Sequence, residues 1–327
     1  MKLSWTEASS FFTKGGGDAY GYATAQKLTK RALDRTGMVE FTDEAEICMH
    51  YTPPHFYVPV EGKTNVLFTM WEAEDYPTEF IDVVMKSDAI IVPSKNSRDV
   101  LKRANICRPI YVCNQCYDSD FYVYKEKDYS GVFKVLWAGA PNVRKGFDLA
   151  SEAFHRAFYG TEMEVELYMK SSLFEKEGQK TYMPLNRSWF DTRKVPMEEL
   201  REMYYNSHVL LYPSRGEGAG LIPMEFMACG GSTMAPAYSG MKDYMFPGIS
   251  YPTKFTMVPI SYGLMTKVAQ ADMDDLVRTL QWCYSHRTQL RDKGKLAAEF
   301  VKNAFNIEKM GVRLVDILMQ IQRKGKT

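Results

Sequence analysis

Short apolar runs alternate with amphipathic segments along the first part of the chain. Three apolar runs bounded by polar or turn-forming residues are predicted strands, at residues 63–70, 88–93 and 108–113. Helices are predicted between them, at residues 77–86 and from Ser94 to Leu101, where the Ser94 hydroxyl is placed to cap the helix start. This repeated order of strand and helix predicts a parallel, doubly wound sheet.

The alternation restarts after a charged, turn-like segment at residues 122–130. Strands are predicted at 132–137, 164–168 and 208–212, and helices at 146–158, 197–205 and 223–228, with two more inside 272–304. A last amphipathic helix carries an apolar stripe from Met310 to Ile321. The pattern predicts an α/β protein with two domains, at residues 1–127 and 128–305, and a C-terminal helix at 306–327 that could pack back on the first domain.

Composition narrows the class of protein. The 327 residues are 45% hydrophobic and 25% charged, which suits two α/β domains of ordinary size. The net charge of +1 gives no overall field that would attract nucleic acid or acidic membranes. The six cysteines do not form a disulfide framework for a chain of this size, and the lone pair Cys113 and Cys116 is interpreted as two free thiols. A reducing, cytoplasmic location is therefore expected.

Membrane association is expected to be at most peripheral. No apolar run approaches 18 residues, which predicts no transmembrane helix, and the polar start of the chain does not resemble a signal peptide. Four basic residues share one face of the helix predicted at 19–35 and could meet lipid head groups on the inner face of the membrane, namely Lys27, Lys30, Arg31 and Arg35. A solvated helix face is the alternative interpretation.

The most informative motif lies between Glu217 and Glu225. A buried strand ending near Tyr212 precedes it, and the order is then strand, glycine-rich turn and helix start. In doubly wound sheets this arrangement builds binding sites for phosphates and sugars, because helix N-termini present free backbone N–H groups. Glycine lets the backbone approach a ligand closely, and carboxylates accept hydrogen bonds from sugar and ribose hydroxyls.

These residues resemble the retaining glycosyltransferases of family 4. The two glutamates have that family's E-x7-E spacing, preceded by Pro213-Ser214 and followed by Ala228-Cys229-Gly230. Arg144-Lys145-Gly146 follows a strand, as the family's phosphate-binding R-K-G does. The resemblance is strongest over residues 131–310. It implies the GT-B fold, in which two Rossmann-like domains face each other across a cleft.

The resemblance also implies roles for single residues. Glu217 would hold donor-sugar hydroxyls near the reacting carbon, and Glu225 would accept hydrogen bonds from the nucleotide ribose. Backbone N–H groups at Gly220 and Leu221 would meet the sugar or phosphate, while Arg144 and Lys145, beside Gly139, would neutralise the diphosphate leaving group. Cations placed there favour the transition state, because negative charge grows on the diphosphate as the sugar leaves. Because a clamp of cationic side chains can take the place of a metal ion at the diphosphate, no metal or other cofactor is expected to be required.

The chain departs from the family pattern at two places. Family members often have Gly-Arg where this chain has Gly139-Ala140, so one cation is missing and Arg144 is expected to substitute. They also often carry a histidine after a strand of the first domain, where Glu72 or His50 is the candidate here. A glycine-rich loop that includes Gly16 and Gly17 could face the cleft from the first domain.

The predicted function is transfer of a sugar, with retained anomeric configuration, from a UDP- or GDP-sugar to an acceptor hydroxyl. The acceptor could be a glycan, a lipid-linked sugar or a modified nucleobase, and the sequence does not choose among them. Two alternatives stay open: a bacteriophage-type enzyme that glycosylates DNA bases, and a non-catalytic subunit that binds a nucleotide.

Overall fold

Among the residues that the structure describes, the first of two mainly parallel sheets has six strands, in the order β2-β1-β3-β4-β5-β6. The computed structural model describes residues 1–6, 17–171, 178–183, 187–261 and 265–324. The strands of the first sheet are β1 (Lys2–Thr6), β2 (Glu40–Phe41), β3 (Ile47–Tyr51), β4 (Thr64–Phe68), β5 (Ala89–Val92) and β6 (Ile110–Val112). Its helices are α1 (Gly17–Arg35), α2 (Thr78–Val84) and α3 (Lys95–Arg103). As predicted, Ser94 caps α3, because its hydroxyl oxygen accepts a hydrogen bond from Ser97 N at 3.2 Å.

The second sheet has seven strands within the described ranges, in the order β13-β12-β11-β7-β8-β10-β9. They are β7 (Phe133–Gly139), β8 (Val165–Ser171), β9 (Lys180–Met183), β10 (Ser188–Asp191), β11 (Val209–Leu211), β12 (Ser232–Pro236) and β13 (Tyr251–Thr253). The remaining helices are α4 (Phe147–Phe158), α5 (Met197–Tyr205), α6 (Leu221–Ala228), α7 (Met273–Ser285), α8 (Arg287–Ala304) and α9 (Ile307–Lys324). Strand β9 runs antiparallel to β10, and the other described pairs are parallel.

A separate antiparallel hairpin follows the second sheet. Its strands are β14 (Phe255–Ser261) and β15 (Met265–Ala271), and they pair with each other along their whole length. The sequence patterns did not predict this hairpin, nor strands β9, β10, β12 and β13. These strands are short or rich in polar side chains, so they leave no apolar run of the length used to predict the others.

The last helix crosses back to the first sheet. Its apolar face, which includes Ile307, Leu314 and Leu318, lies in the same buried cluster as residues of α1, β1 and β3. On the surface, Arg31 and Arg35 of α1 form ion pairs with a set of acidic residues, Asp118, Asp120 and Glu308. Two members of the predicted basic helix face therefore bind other parts of this chain, and the membrane contact stays a prediction. The domain limits at residues 127 and 305 also stay predictions.

Within the described ranges, none of the helices combines the length and the apolar composition that crossing a bilayer requires.

Candidate active site

The candidate site lies where the strand order of the second sheet reverses. Strands β7 and β11 are parallel neighbours, but the connections that leave them lead to strands on opposite sides of the pair. Such a switch point leaves a crevice at the carboxyl ends of the two strands. The loop at residues 140–146 follows β7, and the loop at residues 212–220 follows β11. The two loops pack together tightly, since a Cβ atom at Gly146 (φ +67°) would lie 2.2 Å from Pro213 O.

A buried ion pair joins these loops. Lys145 Nζ lies 2.8 Å from both carboxylate oxygens of Glu217, and the two side chains are 14% and 6% exposed. The lysine backbone is fixed on both sides, because Lys145 N donates to Asn142 Oδ1 at 3.0 Å and Lys145 O accepts from Trp137 Nε1 at 3.2 Å. The structure thus brings together two residues that are 72 positions apart in the sequence.

Two hydroxyl groups that the sequence did not indicate hold the same carboxylate. Ser214 Oγ donates to Glu217 Oε1 at 2.6 Å, and Tyr212 OH donates to that oxygen at 3.0 Å. Tyr212 OH also accepts from Lys145 Nζ at 3.1 Å. The sequence signal was the Tyr212-Pro213-Ser214 turn, which marks the end of a strand and the start of the family pattern but gave no role to either hydroxyl group. Glu217 is therefore held in one orientation, as a group that positions a substrate must be.

The ion pair keeps Glu217 charged. Burial alone would raise the pKa of this carboxyl group. The charges of Lys145 and Arg144, together with hydrogen bonds from Lys145 and Ser214, outweigh burial and hold the pKa below its ordinary value. Glu217 is consequently an anion that accepts hydrogen bonds, which suits contact with sugar hydroxyls.

Arg144 and Gly139 flank the lysine. Arg144 Nη1 donates to Gly216 O at 2.9 Å and lies 3.7 Å from Glu217 Oε1. Gly139 lies beside the Lys145 stem, with 3.7 Å between the position of a Cβ atom on that glycine and Lys145 Cγ. The structure therefore gathers the predicted diphosphate-binding side chains on one side of the crevice.

The start of α6 forms another wall. Gly220 has φ +81°, and a Cβ atom there would lie 2.3 Å from Tyr244 OH. That hydroxyl donates toward the carbonyl oxygens of Ala219 (3.1 Å) and Gly220 (3.0 Å). Leu221 begins α6 and packs against the apolar clusters of both sheets. The glycine-rich turn therefore brings the helix N-terminus, which favours anions, next to the Lys145 side of the site.

Glu225, the second carboxylate of the motif, has different surroundings. It lies on α6, is 6% exposed, and its Oε2 accepts from Tyr204 OH at 3.0 Å. Burial raises the pKa of Glu225 to about 7, against a smaller lowering by the Tyr204 hydrogen bond. The pKa values of the two motif carboxyl groups are therefore shifted in opposite directions, because Lys145 and Arg144 lie beside Glu217 whereas burial dominates at Glu225.

His50 is held inside the first sheet. Its Nε2 lies 2.8 Å from Asn65 Oδ1 and its Nδ1 lies 3.0 Å from Thr6 Oγ1. An amide oxygen only accepts, so Nε2 carries the ring proton and donates it to Asn65. Burial also lowers the pKa of His50, which keeps the ring neutral. Both ring nitrogens are thus engaged within the sheet.

Glu72, in contrast, follows β4 and reaches the loop at residues 212–220, called the donor loop. A Cβ atom at Gly216 would lie 2.3 Å from Glu72 O, so the segment after β4 touches the loop that carries Glu217. On the other side, Tyr22 of α1 is near enough that burial and the charge of Glu72 together raise its pKa. Gly17 begins α1, and Gly16 lies outside the described residues.

Replacing Gly216 with alanine is expected to destabilise this contact. The added methyl group would meet backbone rather than a movable side chain, so the free energy of unfolding should fall by about 1–3 kcal/mol. Thermal denaturation measures the effect. Gly248→Ala is the matched control, because nothing lies within 4 Å of the position of its Cβ atom. Equal melting temperatures for the two variants would show that the two segments are not in contact.

Among the described residues, no group of three or more His, Cys, Asp and Glu side chains is arranged to hold a metal ion. The expectation that no metal is required stays a prediction.

Comparison with known proteins agrees with this geometry. The family model for glycosyl transferases group 1 matches residues 125–304, more than half of the 327-residue chain. No curated protein sequence matches.

Solved structures match over nearly the whole chain. One is sucrose-phosphate synthase from Thermosynechococcus elongatus, with a TM-score of 0.74 at 12% identity, covering 99% of each chain. Another is Anabaena HepE in complex with UDP and glucose, with a TM-score of 0.68 at 12% identity, covering 98% of this chain and 100% of HepE. A third is a glycosyltransferase from Rickettsia africae, with a TM-score of 0.66 at 12% identity and 98% coverage of each chain. At these identities the likeness shows a shared fold, GT-B.

Family match, fold and motif geometry agree, and the chain belongs to the group 1 (GT4) glycosyltransferases, a family of retaining hexosyltransferases that use nucleotide sugars.

Proposed function

We propose that this enzyme transfers a hexose from a UDP-sugar to an acceptor hydroxyl, with Lys145 and Glu217 as the central pair. The observation that carries the proposal is the buried contact between these two residues at the switch point of the second sheet. HepE, which shares the fold, is seen with UDP and with UDP-glucose, and this favours uracil as the donor base.

The pair has a direct chemical use. Departure of the diphosphate creates negative charge, and the Lys145 ammonium group and the start of α6 lie on the side where we place that charge. Glu217, one hydrogen bond away from the lysine, would hold hydroxyls of the sugar. One cation thus touches both the leaving group and the group that orients the sugar. Its contact with the diphosphate strengthens as charge develops, and this favours the transition state over the ground state.

The acceptor is proposed to enter from the first sheet, beside Glu72. This residue stands at the carboxyl end of β4 and touches the donor loop at Gly216. We propose that its carboxylate binds the acceptor hydroxyl, and that His50, engaged on both ring nitrogens, has a structural role. The identity of the acceptor and the cytoplasmic location stay predictions.

Glu225 is proposed to bind the ribose, and this predicts a pH dependence. With a pKa of about 7, the buried carboxyl group is largely neutral below that pH and ionised above it. Ribose hydroxyls donate best to the ionised form, so UDP affinity should fall about five- to tenfold from about pH 8 to about pH 6. Calorimetric titration at both values measures this. The diphosphate of UDP also titrates, and it does so equally whether UDP binds the wild type or Glu225→Gln. A drop in UDP affinity of the same size in the variant would therefore remove Glu225 as the cause.

The same carboxyl group links folding to pH. Its pKa is raised by folding, from 4.5 to about 7, so the native state binds the extra proton between those values. The free energy of unfolding without nucleotide is therefore expected to decrease as pH rises through this window, and Glu225→Gln should lack that decrease.

A nucleotide panel followed by a turnover assay tests the proposal as a whole. UDP, GDP, ADP and their common sugar conjugates are added to the wild-type protein, and the melting temperature is recorded. UDP and one UDP-sugar should stabilise the protein, and UDP should be released from that sugar in the presence of glycan acceptors. Stabilisation by UDP without turnover on any acceptor would indicate a nucleotide-binding subunit. No stabilisation by any nucleotide would overturn the donor site.

A further inference from the structure

Arg215 connects four parts of the protein from inside the donor loop. It is 5% exposed, and its guanidinium group forms a bidentate ion pair with Asp148. Nη1 donates to Oδ1 at 2.9 Å and Nη2 donates to Oδ2 at 2.7 Å. Its Nε donates to Gln270 Oε1 at 2.7 Å, and its Nη1 donates also to Val143 O. A planar fork of this kind serves several acceptors at fixed angles, which the single ammonium group of lysine cannot do.

These contacts hold the middle of the loop at residues 140–146, called the phosphate loop, and the helix start that follows it. Val143 O is bound by the Arg215 side chain, and Arg144 O accepts from Arg215 N at 2.7 Å. Asp148 lies in the first turn of α4, just beyond Lys145 and Gly146. Arg215 itself is two positions before Glu217, so one residue fixes the backbone on both sides of the ion pair between Lys145 and Glu217.

The hairpin extends this connection to the first sheet. On β15, Ala269 N donates to Arg215 O at 3.1 Å, and the neighbouring Gln270 binds the guanidinium group. Farther along the same strand, Lys267 O accepts from Glu74 N at 2.9 Å, and Thr266 Oγ1 accepts from Asp75 N at 3.3 Å. Glu74 and Asp75 lie shortly after Glu72. Hydrogen bonds therefore run from the acceptor-side segment through β15 to the donor loop.

We propose that Arg215 is a positioning residue for sugar transfer, and that the β14–β15 hairpin couples the acceptor-side segment 72–75 to the donor site through it. This rests on the proposed function, since it assumes that Lys145 and Glu217 bind the donor. Arg215 acts on the reaction through the geometry of those two side chains. The hairpin then sets the distance between the donor loop and the segment that carries Glu72.

The first test is Arg215→Lys, with Arg187→Lys as the matched control. Arg187 also binds two backbone carbonyl oxygens, those of Met163 and Phe158, but it lies outside the two loops of the site. UDP affinity of Arg215→Lys should fall about tenfold, and turnover at saturating donor should fall a further 10- to 100-fold. The control should lose comparable thermal stability but keep wild-type affinity and turnover. Wild-type UDP affinity in Arg215→Lys would overturn the positioning role.

The second test is Thr266→Val, which removes the hydroxyl bound by Asp75 N at the far end of the hairpin. UDP affinity should stay as in the wild type, while kcat/KM for the acceptor should fall by about three- to tenfold. Unchanged acceptor kinetics would overturn the coupling through the hairpin. If the wild-type protein itself bound no UDP, the proposed function would fail first. UDP binding by the wild type with no effect of Arg215→Lys would remove this inference alone.

Discussion

Replacing Glu217 with glutamine is expected to lower turnover by about 100- to 1,000-fold, because the charge that orients the sugar is lost from a buried, preorganised site. UDP affinity is expected to stay within about threefold of wild type or to improve. In the structure Lys145 shares its ammonium group with this carboxylate, and glutamine would leave the lysine free for the diphosphate. Steady-state kinetics at saturating donor and UDP titration measure the two effects separately.

Glu198→Gln is the control for this change. Glu198 is an exposed glutamate in the first turn of α5, so its variant should keep wild-type turnover. Turnover of Glu217→Gln at the level of this control would contradict the assignment of Glu217 to the sugar. A parallel loss of UDP affinity would place Glu217 on the nucleotide instead.

Replacing Lys145 with methionine is expected to weaken UDP binding by about 30-fold or more, since it removes a cation from a largely buried site. Uridine has no diphosphate, so its affinity should not change. Turnover should fall more steeply than affinity, because the leaving diphosphate carries more charge in the transition state. The variant also leaves the buried Glu217 with less positive charge nearby, so the pKa of that carboxyl group should rise.

Lys134→Met provides the matched comparison. Lys134 is an exposed lysine on β7, the strand that leads to the phosphate loop. Its variant should bind UDP and uridine like the wild type. Equal weakening of UDP and uridine by Lys145→Met would mean that the change disturbs the fold of the site, and would contradict a direct contact with the diphosphate.

The two motif glutamates show how surroundings shift the pKa of the same side chain in opposite directions. Glu217 has Lys145 and Arg144 beside it, and its pKa is held low despite burial. Glu225 has a tyrosine hydroxyl as its hydrogen-bond partner, and burial raises its pKa to about 7. A fixed anion and a titrating carboxyl group thus stand eight positions apart on one loop and helix.

The strands and loops that position Lys145 and Glu217 could be predicted from the sequence because their signals are local. The glycines before α6, the strand that ends near Tyr212 and the apolar spacing of α4 each depend on residues close together in the chain. These signals placed Lys145 and Glu217 at the carboxyl ends of two strands. Family resemblance then supplied the roles that the pattern alone could not.

Contacts between distant residues could not be predicted in this way. Arg215 lies between Ser214 and Glu217, at a position to which the sequence analysis gave no role, and only the fold brings Asp148, Gln270 and Val143 around it. The hairpin strands β14 and β15 mix apolar with polar residues, and the sequence patterns did not predict them. Likewise, His50 is bonded within the first sheet whereas Glu72 contacts the loop at Gly216. This difference depends on where the fold places each residue in that sheet.

A structure of the protein with UDP bound is the most direct test that the loops after β7 and β11 form the donor site. We expect the diphosphate within hydrogen-bonding distance of Lys145 Nζ, with Arg144 and the start of α6 beside it, and the ribose hydroxyls on the Glu225 carboxylate. UDP bound elsewhere, or bound here with its diphosphate away from Lys145 while the lysine still pairs with Glu217, would contradict the account.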